Sequence, residues 1–163
     1  MKVAIFIGSE SDFDVVEGAI KTLKEFEVPF ALEVTSAHRT PERTVNLVEA
    51  FEEKGVEVFI AVAGKAAHLA GVVAAHTCLP VIAVPVGSTP LNGFDALLSS
   101  VQMPKGVPVA CMGLGKSGAI NAALLAIQML GLKDPVLAAK MKEYKKKMAT
   151  QVEESSAKIK DRL

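Results

Sequence analysis

Aromatic side chains are scarce in this sequence: 163 residues contain no Trp, one Tyr and seven Phe. Charge of one sign is missing too, because 18 Lys and Arg face 18 Asp and Glu. No global field therefore draws the chain to nucleic acid or to a membrane surface. No apolar run approaches the roughly 18 residues that span a bilayer. The N-terminal MKVAIFIGSES lacks the charged, apolar and small-residue succession of a cleaved leader, and reads as a first strand. The two cysteines, Cys78 and Cys111, form no C-x-x-C pair and have no ligand cluster nearby. They are expected to fill the core of a protein in a reducing compartment, the cytoplasm. There is no metal-ligand spacing, no Walker loop and no G-x-S-x-G.

What remains is half hydrophobic, and the apolar residues are mostly Ala, Val and Leu. That composition suits a parallel sheet buried on both faces, whose strands read as unbroken apolar runs. It also suits a subunit that hides further surface in an oligomer. Val3–Ile7 is the first run, followed by Val16, Ala19, Ile20, Leu23 and Phe26 at helical spacing. Phe30–Thr35, Val56–Val62, Pro80–Pro85 and Val107–Met112 are the next four strands. Between them, helices are expected from Pro41 to Gly55, from about Ala67 and from Phe94 to Val101. A further helix, from Lys116 to Leu130, follows the fifth strand. Parallel strands need such crossovers. The expected fold is an α/β, flavodoxin-like three-layer sandwich with strand order 2-1-3-4-5. Residues 1–133 form this catalytic domain. Residues 134–163 form a C-terminal helical arm carrying Leu137, Met141, Tyr144, Met148 and Val152 on one face, packed on the core or on a neighbouring subunit.

Ligands of such sheets bind beyond the carboxyl ends of the strands, near the switch point between strands 1 and 3. Three segments project there. Gly8-Ser9-Glu10-Ser11-Asp12 offers close backbone approach, hydroxyls and a helix N-terminus for an anion; alternatively, Ser11 or Asp12 only caps the helix. Ser36-Ala37-His38-Arg39-Thr40-Pro41 pairs a guanidinium that can grip an anion with an imidazole that exchanges protons near neutrality. Ala63-Gly64-Lys65-Ala66-Ala67-His68-Leu69-Ala70-Gly71 exposes backbone N–H groups to a planar ligand or carboxylate. His68 either donates from the helix start or caps and packs, and His76 is given a structural role. A fourth segment, Gly113-Leu114-Gly115-Lys116-Ser117-Gly118, matches G-x-G-x-x-G, with Asp134 following. It follows the fifth strand instead of the first, so a tight turn into an Ala-rich helix is the better reading.

GSESD, SAHRTPER, AGKAAHLAG, LPVIAVPV, LNGFDALLSSVQMPKGVPVA and GKSGAINAALLA stand in that order. Together, from about Lys2 to Leu130, they resemble the N5-carboxyaminoimidazole ribonucleotide mutases and aminoimidazole ribonucleotide carboxylases of purine biosynthesis. The resemblance implies a cytoplasmic homo-octamer with sites between subunits, acting on an aminoimidazole ribonucleotide without metal or cofactor. It implies that Ser9, Ser36 and Arg39 hold the substrate's phosphate end and Asp12 its ribose hydroxyls, with Gly8 also binding substrate. His38 is the general acid/base, and Gly64, Ala66, His68 and Leu69 enclose the heterocycle and the migrating carboxylate. Gln102-Met103-Pro104 closes the site from a neighbouring subunit. SAHRTP, AAHL and QMP resemble the mutase branch, which isomerises the carbamate. Lys65 and Ala70 depart from it and leave direct carboxylation with carbon dioxide as the alternative. Two rivals stand outside the family: a non-catalytic nucleotide sensor, and a dehydrogenase using the loop at Gly113.

Overall fold

The computed structural model describes residues 1–162. Five parallel strands pair in the order β2-β1-β3-β4-β5. They are β1 (Val3–Ile7), β2 (Phe30–Val34), β3 (Val58–Gly64), β4 (Val81–Val86) and β5 (Ala110–Cys111). The helices are α1 (Phe13–Glu25), α2 (Pro41–Glu53), α3 (Leu69–Ala75), α4 (Phe94–Val101), α5 (Gly115–Gly131) and α6 (Pro135–Lys160). The chain forms two compact units, Met1–Ala126 and a second from Ile127 onward. The flavodoxin-like order is the one expected from the alternation of apolar runs and helical patterns.

All five residues of β1 are buried, as they must be in a sheet covered on both faces. Ala4, Phe6, Phe59, Ala61, Val81 and Ala83 share one face with Val48 and Phe51 of α2 and Leu69 and Val73 of α3. The alternate residues, Val3, Ile5, Ile7, Ile60 and Ile82, are equally buried and point the other way. There α1 meets α5 so closely that a Cβ on Gly18 would stand 2.8 Å from Ile120 Cγ1.

The strand ends differ from expectation for identifiable reasons. Val56 belongs to the end of α2, since its N–H donates to the Phe51 carbonyl at 3.0 Å while Gly55 donates to Glu52 at 2.9 Å. With Gly55 at φ +80° this is a Schellman cap, so β3 starts two residues later. The fifth strand shrinks to two residues. A turn in which Val107 N–H donates to the Pro104 carbonyl takes its beginning, and Pro108 has no N–H for a ladder. Met112 N–H reaches the Ala83 carbonyl at 2.9 Å, so Ala83 and, two residues on, Pro85 direct their backbone groups toward β5. Pro85 lies beyond the two β4–β5 rungs, Ile82–Ala110 and Ala83–Cys111, where a missing donor breaks no bond.

One assignment needs correction. Cys78 is exposed on the α3–β4 connection and does not fill the core, whereas Cys111 is partly buried and packs against the core cluster; both are free thiols. His76, given a structural role, ends α3 as an exposed C-cap. In the second unit, Asp134 caps α6 by accepting from the Val136 and Leu137 N–H groups. Of the stripe along α6, Met141 is buried, whereas Met148 is 43% and Val152 70% exposed. No helix among the described residues is long and apolar enough to cross a membrane.

Candidate active site

The loops after β1, β2 and β3 close around a cavity of about 530 Å³. Gly8, Ser9, Ser11 and Asp12 line it from the first loop, and Ser36, Ala37, His38 and Arg39 from the second. The third contributes Ala63 through Ala66, with His68 and Leu69. All ten residues singled out from the sequence as a site therefore share one cavity. Ser88, after β4, also lines it and was not foreseen. Its signal was faint: the oxygen of one serine, just past the last residue of an apolar run. Gly64 records its proximity, since a Cβ there would stand 2.7 Å from Ser88 Oγ and 3.1 Å from the Val86 carbonyl.

Each loop is held by its own polar groups. In the first, Ser9 caps a single 3-10 turn over Glu10–Asp12 by accepting from Ser11 N–H at 3.3 Å. Asp12, at the head of α1, makes no side-chain cap. Asp12 as a whole is 7% exposed, and burial pushes its pKa above the ordinary 3.8 against the opposing pull of a Ser9 backbone bond and the Arg39 guanidinium. Capping therefore does not account for Asp12.

The second loop is a turn built by Thr40. Its hydroxyl accepts from Ser36 N–H at 2.9 Å, and its own N–H donates to the Ser36 carbonyl at 2.9 Å. That hydroxyl is consequently unavailable to cap α2, whose first turn relies on Pro41 instead. Beneath it, Thr35 and Thr44 hydroxyls meet at 2.8 Å in the buried interior. On this turn Arg39 N–H donates to Ser36 Oγ at 3.2 Å, and its guanidinium reaches the Gly8 carbonyl at 2.9 Å, tying the second loop to the first.

The third loop turns through Lys65, a non-glycine residue in the left-handed region at φ +58°. Such a conformation costs roughly 1–2 kcal/mol and is worth a functional question when it lies on a cavity wall. Ala67 N–H then donates to Ser99 Oγ of α4 at 2.9 Å, and His68 N–H to the Ala66 carbonyl at 2.8 Å. These bonds occupy the residues expected to open α3, which begins at Leu69. They also fix His68, whose Nδ1 lies 2.7 Å from His38 Nε2, with the rings edge to face at 4.8 Å.

The set offers a guanidinium and hydroxyls at one side, a half-desolvated carboxylate, and an imidazole pair. It can anchor an anion, bind vicinal hydroxyls and move a proton. Gln102, Met103 and Pro104 do not line the cavity. Met103 lies instead against α3, where a Cβ on Gly71 would be 3.4 Å from its Cε. The Gly113 segment is also elsewhere. Gly118 lies so close to its own loop that a Cβ would stand 1.6 Å from the Gly113 carbonyl, and Asp134 is occupied as a helix cap. It is a packed turn, as its position after β5 suggested.

A family model described as AIR carboxylase matches residues 2–151. An N5-carboxyaminoimidazole ribonucleotide mutase of Pyrococcus abyssi is 53% identical, over 90% of this chain and 83% of that relative. One of Methanocaldococcus jannaschii is 51% identical over 98% of each. The crystal structure of Treponema denticola PurE superposes with a TM-score of 0.87 at 32% identity, covering 96% of both chains.

Proposed function

The chain belongs to the AIR carboxylase family, and from that premise we propose that it converts N5-carboxyaminoimidazole ribonucleotide into 4-carboxy-5-aminoimidazole ribonucleotide in purine biosynthesis. It is an enzyme of the isomerase class, as its relatives are named. The observation that carries the reading is the convergence of His38, Arg39 and Asp12 on one cavity at the switch point of the sheet.

In this reading Arg39, Ser9 and Ser36 hold the phosphate end and Asp12 the ribose, with Gly8 allowing the backbone close. Gly64, Ala66, His68 and Leu69 enclose the heterocycle. His38 gives a proton to the exocyclic nitrogen, the N–C bond of the carbamate breaks, and carbon dioxide and the aminoimidazole remain in the cavity. The electron-rich ring carbon attacks the carbon dioxide, and neutral His38 takes the proton from that carbon to restore the aromatic ring. The proton count closes, with no net uptake or release. Holding carbon dioxide within reach of the ring carbon supplies effective concentration, and excluding water prevents its loss. General acid–base transfer of this kind contributes about 10²–10⁴-fold.

The enzyme works as a homo-octamer in the cytoplasm, with Gln102-Met103-Pro104 of a neighbouring subunit covering the cavity and α6 acting as an arm beyond the catalytic domain. Supporting an assembly is a stripe on and beside α4: Leu91, Phe94, Leu98 and Val101 are 61%, 66%, 52% and 49% exposed. Light scattering should find a species several times 17.2 kDa, and a monomer would contradict the shared site.

Supplying each substrate separately tests the reaction. Conversion of the carbamate without added bicarbonate is expected. Turnover only of the unsubstituted nucleotide with bicarbonate would assign direct carboxylation instead.

A further inference from the structure

We infer that His38 exchanges protons through Nδ1 as half of an imidazole pair, with His68 as the positioning residue that carries the positive charge of the protonated state. The inference rests on the mutase reading for its chemistry and on geometry alone for the pair. His38 Nε2 and His68 Nδ1 stand 2.7 Å apart with the rings at 73°, a hydrogen-bonding arrangement and not a stacked one. It is the one hydrogen bond made by either ring among the described residues. His38 sits exposed on the Ser36–Thr40 turn, where nothing else holds its ring. His68 has a firm seat: Val72 N–H donates to its carbonyl at 2.9 Å, and Ala67 N–H before it is tied to Ser99. With Nε2 engaged, Nδ1 is the nitrogen of His38 left for a substrate.

The bond between the rings can contain one hydrogen, on either side. When the pair is protonated, that hydrogen is on His68 Nδ1, so His68 is an imidazolium and His38 a neutral ring with Nδ1–H. Delivery of the Nδ1 proton to the exocyclic nitrogen is accompanied by transfer of the bridging hydrogen to His38 Nε2. Both rings are then neutral, and Nδ1 has become a lone pair. Taking the proton from the ring carbon reverses the shift and restores the cation. The first step moves one proton out of the pair and one across it, the second moves one in and one back, and His38 never becomes an imidazolate. A base oriented and charge-balanced by a third group is the logic of catalytic triads. The other charges around the cavity are Arg39 and Lys65, positive, and Asp12, negative. Arg39 is already directed to the Gly8 carbonyl, which leaves the pair as the mobile proton store.

His68→Asn tests this, because the carboxamide can keep a hydrogen-bond partner for His38 Nε2 but cannot become a cation; His68→Leu removes both. The expected result is a 10- to 100-fold lower kcat for His68→Asn with KM within about threefold, and a larger loss for His68→Leu. Ring ¹⁵N spectra of the ligand-free protein, at a pH where both rings are neutral, should show His38 as the Nε2–H tautomer and a tautomer mixture in His68→Leu. A wild-type kcat in His68→Asn, a raised KM with kcat intact, or identical His38 spectra in wild type and His68→Leu would each overturn the pair. The spectra need no substrate. A tautomer signature without turnover of either nucleotide would therefore sink the mutase reading and leave the pair standing.

Discussion

Two glycine-bearing loops leave the same edge of the sheet and differ in what their glycines are for. At the loop after β5, Gly118 in the first turn of α5 is demanded by the fold, because a side chain would run into the Gly113 carbonyl at 1.6 Å. In the loop after β1, a Cβ on Gly8 would meet Ala63, Asp12 and the Val62 carbonyl at an ordinary 3.6 Å. The fold tolerates it there, so packing within the protein does not require glycine at this position. The loop after β5 satisfies itself. The loop after β1, with its two neighbours, keeps a buried carboxylate without a capping duty and a lysine in a left-handed conformation.

The sharpest test of that contrast is His38→Asn, expected to lower kcat by about 10²–10⁴-fold. Substrate affinity should stay within about tenfold, roughly 1.4 kcal/mol. A near-normal rate would remove chemistry from the β1–β3 cluster altogether. Next in size is Gly118→Ala, which should lose about 3 kcal/mol in urea unfolding, since backbone must shift to admit the methyl. Its kcat per folded molecule should be unchanged; a selective loss of turnover would mean that the β5 loop also serves the site.

Gly8→Ala is the mirror experiment. Its stability should stay within about 0.5 kcal/mol while substrate affinity falls roughly tenfold, which calorimetry would measure. If it destabilises as Gly118→Ala does, the two loops are alike and the contrast fails. The smallest effect concerns Asp12. Burial raises its pKa from 3.8, so the folded state binds a proton more tightly than the unfolded one. Stability therefore falls as pH rises from 3.8 through the raised value, and the carboxylate opposes folding at neutral pH. Asp12→Asn should show a modestly higher Tm at pH 7, an advantage shrinking as pH drops toward 3.8, together with weaker ribonucleotide binding. An unchanged Tm across that range would show that the site carries no such strain.

Much of this was legible in the sequence, because apolar runs of five or six residues and helical spacing report burial directly. Val3–Ile7 and Pro41–Glu53 were readable for that reason. What escaped depended on partners far along the chain. Val56 looks like a strand residue until Phe51 claims its N–H, and Val107–Val109 look like strand until the turn at Pro104 does. Cys78 sits in an apolar neighbourhood that happens to cross the surface. In the candidate site, residue types marked out His38, Arg39 and Asp12. The bond between His38 and His68, thirty positions apart, requires β2 and β3 on either side of β1 before it can be seen.

The two-rung border at β5 has a consequence for how copies of this chain can meet. A strand from another molecule arriving there would find almost no free backbone to zip against. Growth of the sheet from one molecule into the next is therefore blocked on that flank. On that side of the sheet a contact between copies would fall to side chains, where single substitutions can adjust its strength without disturbing the strands inside.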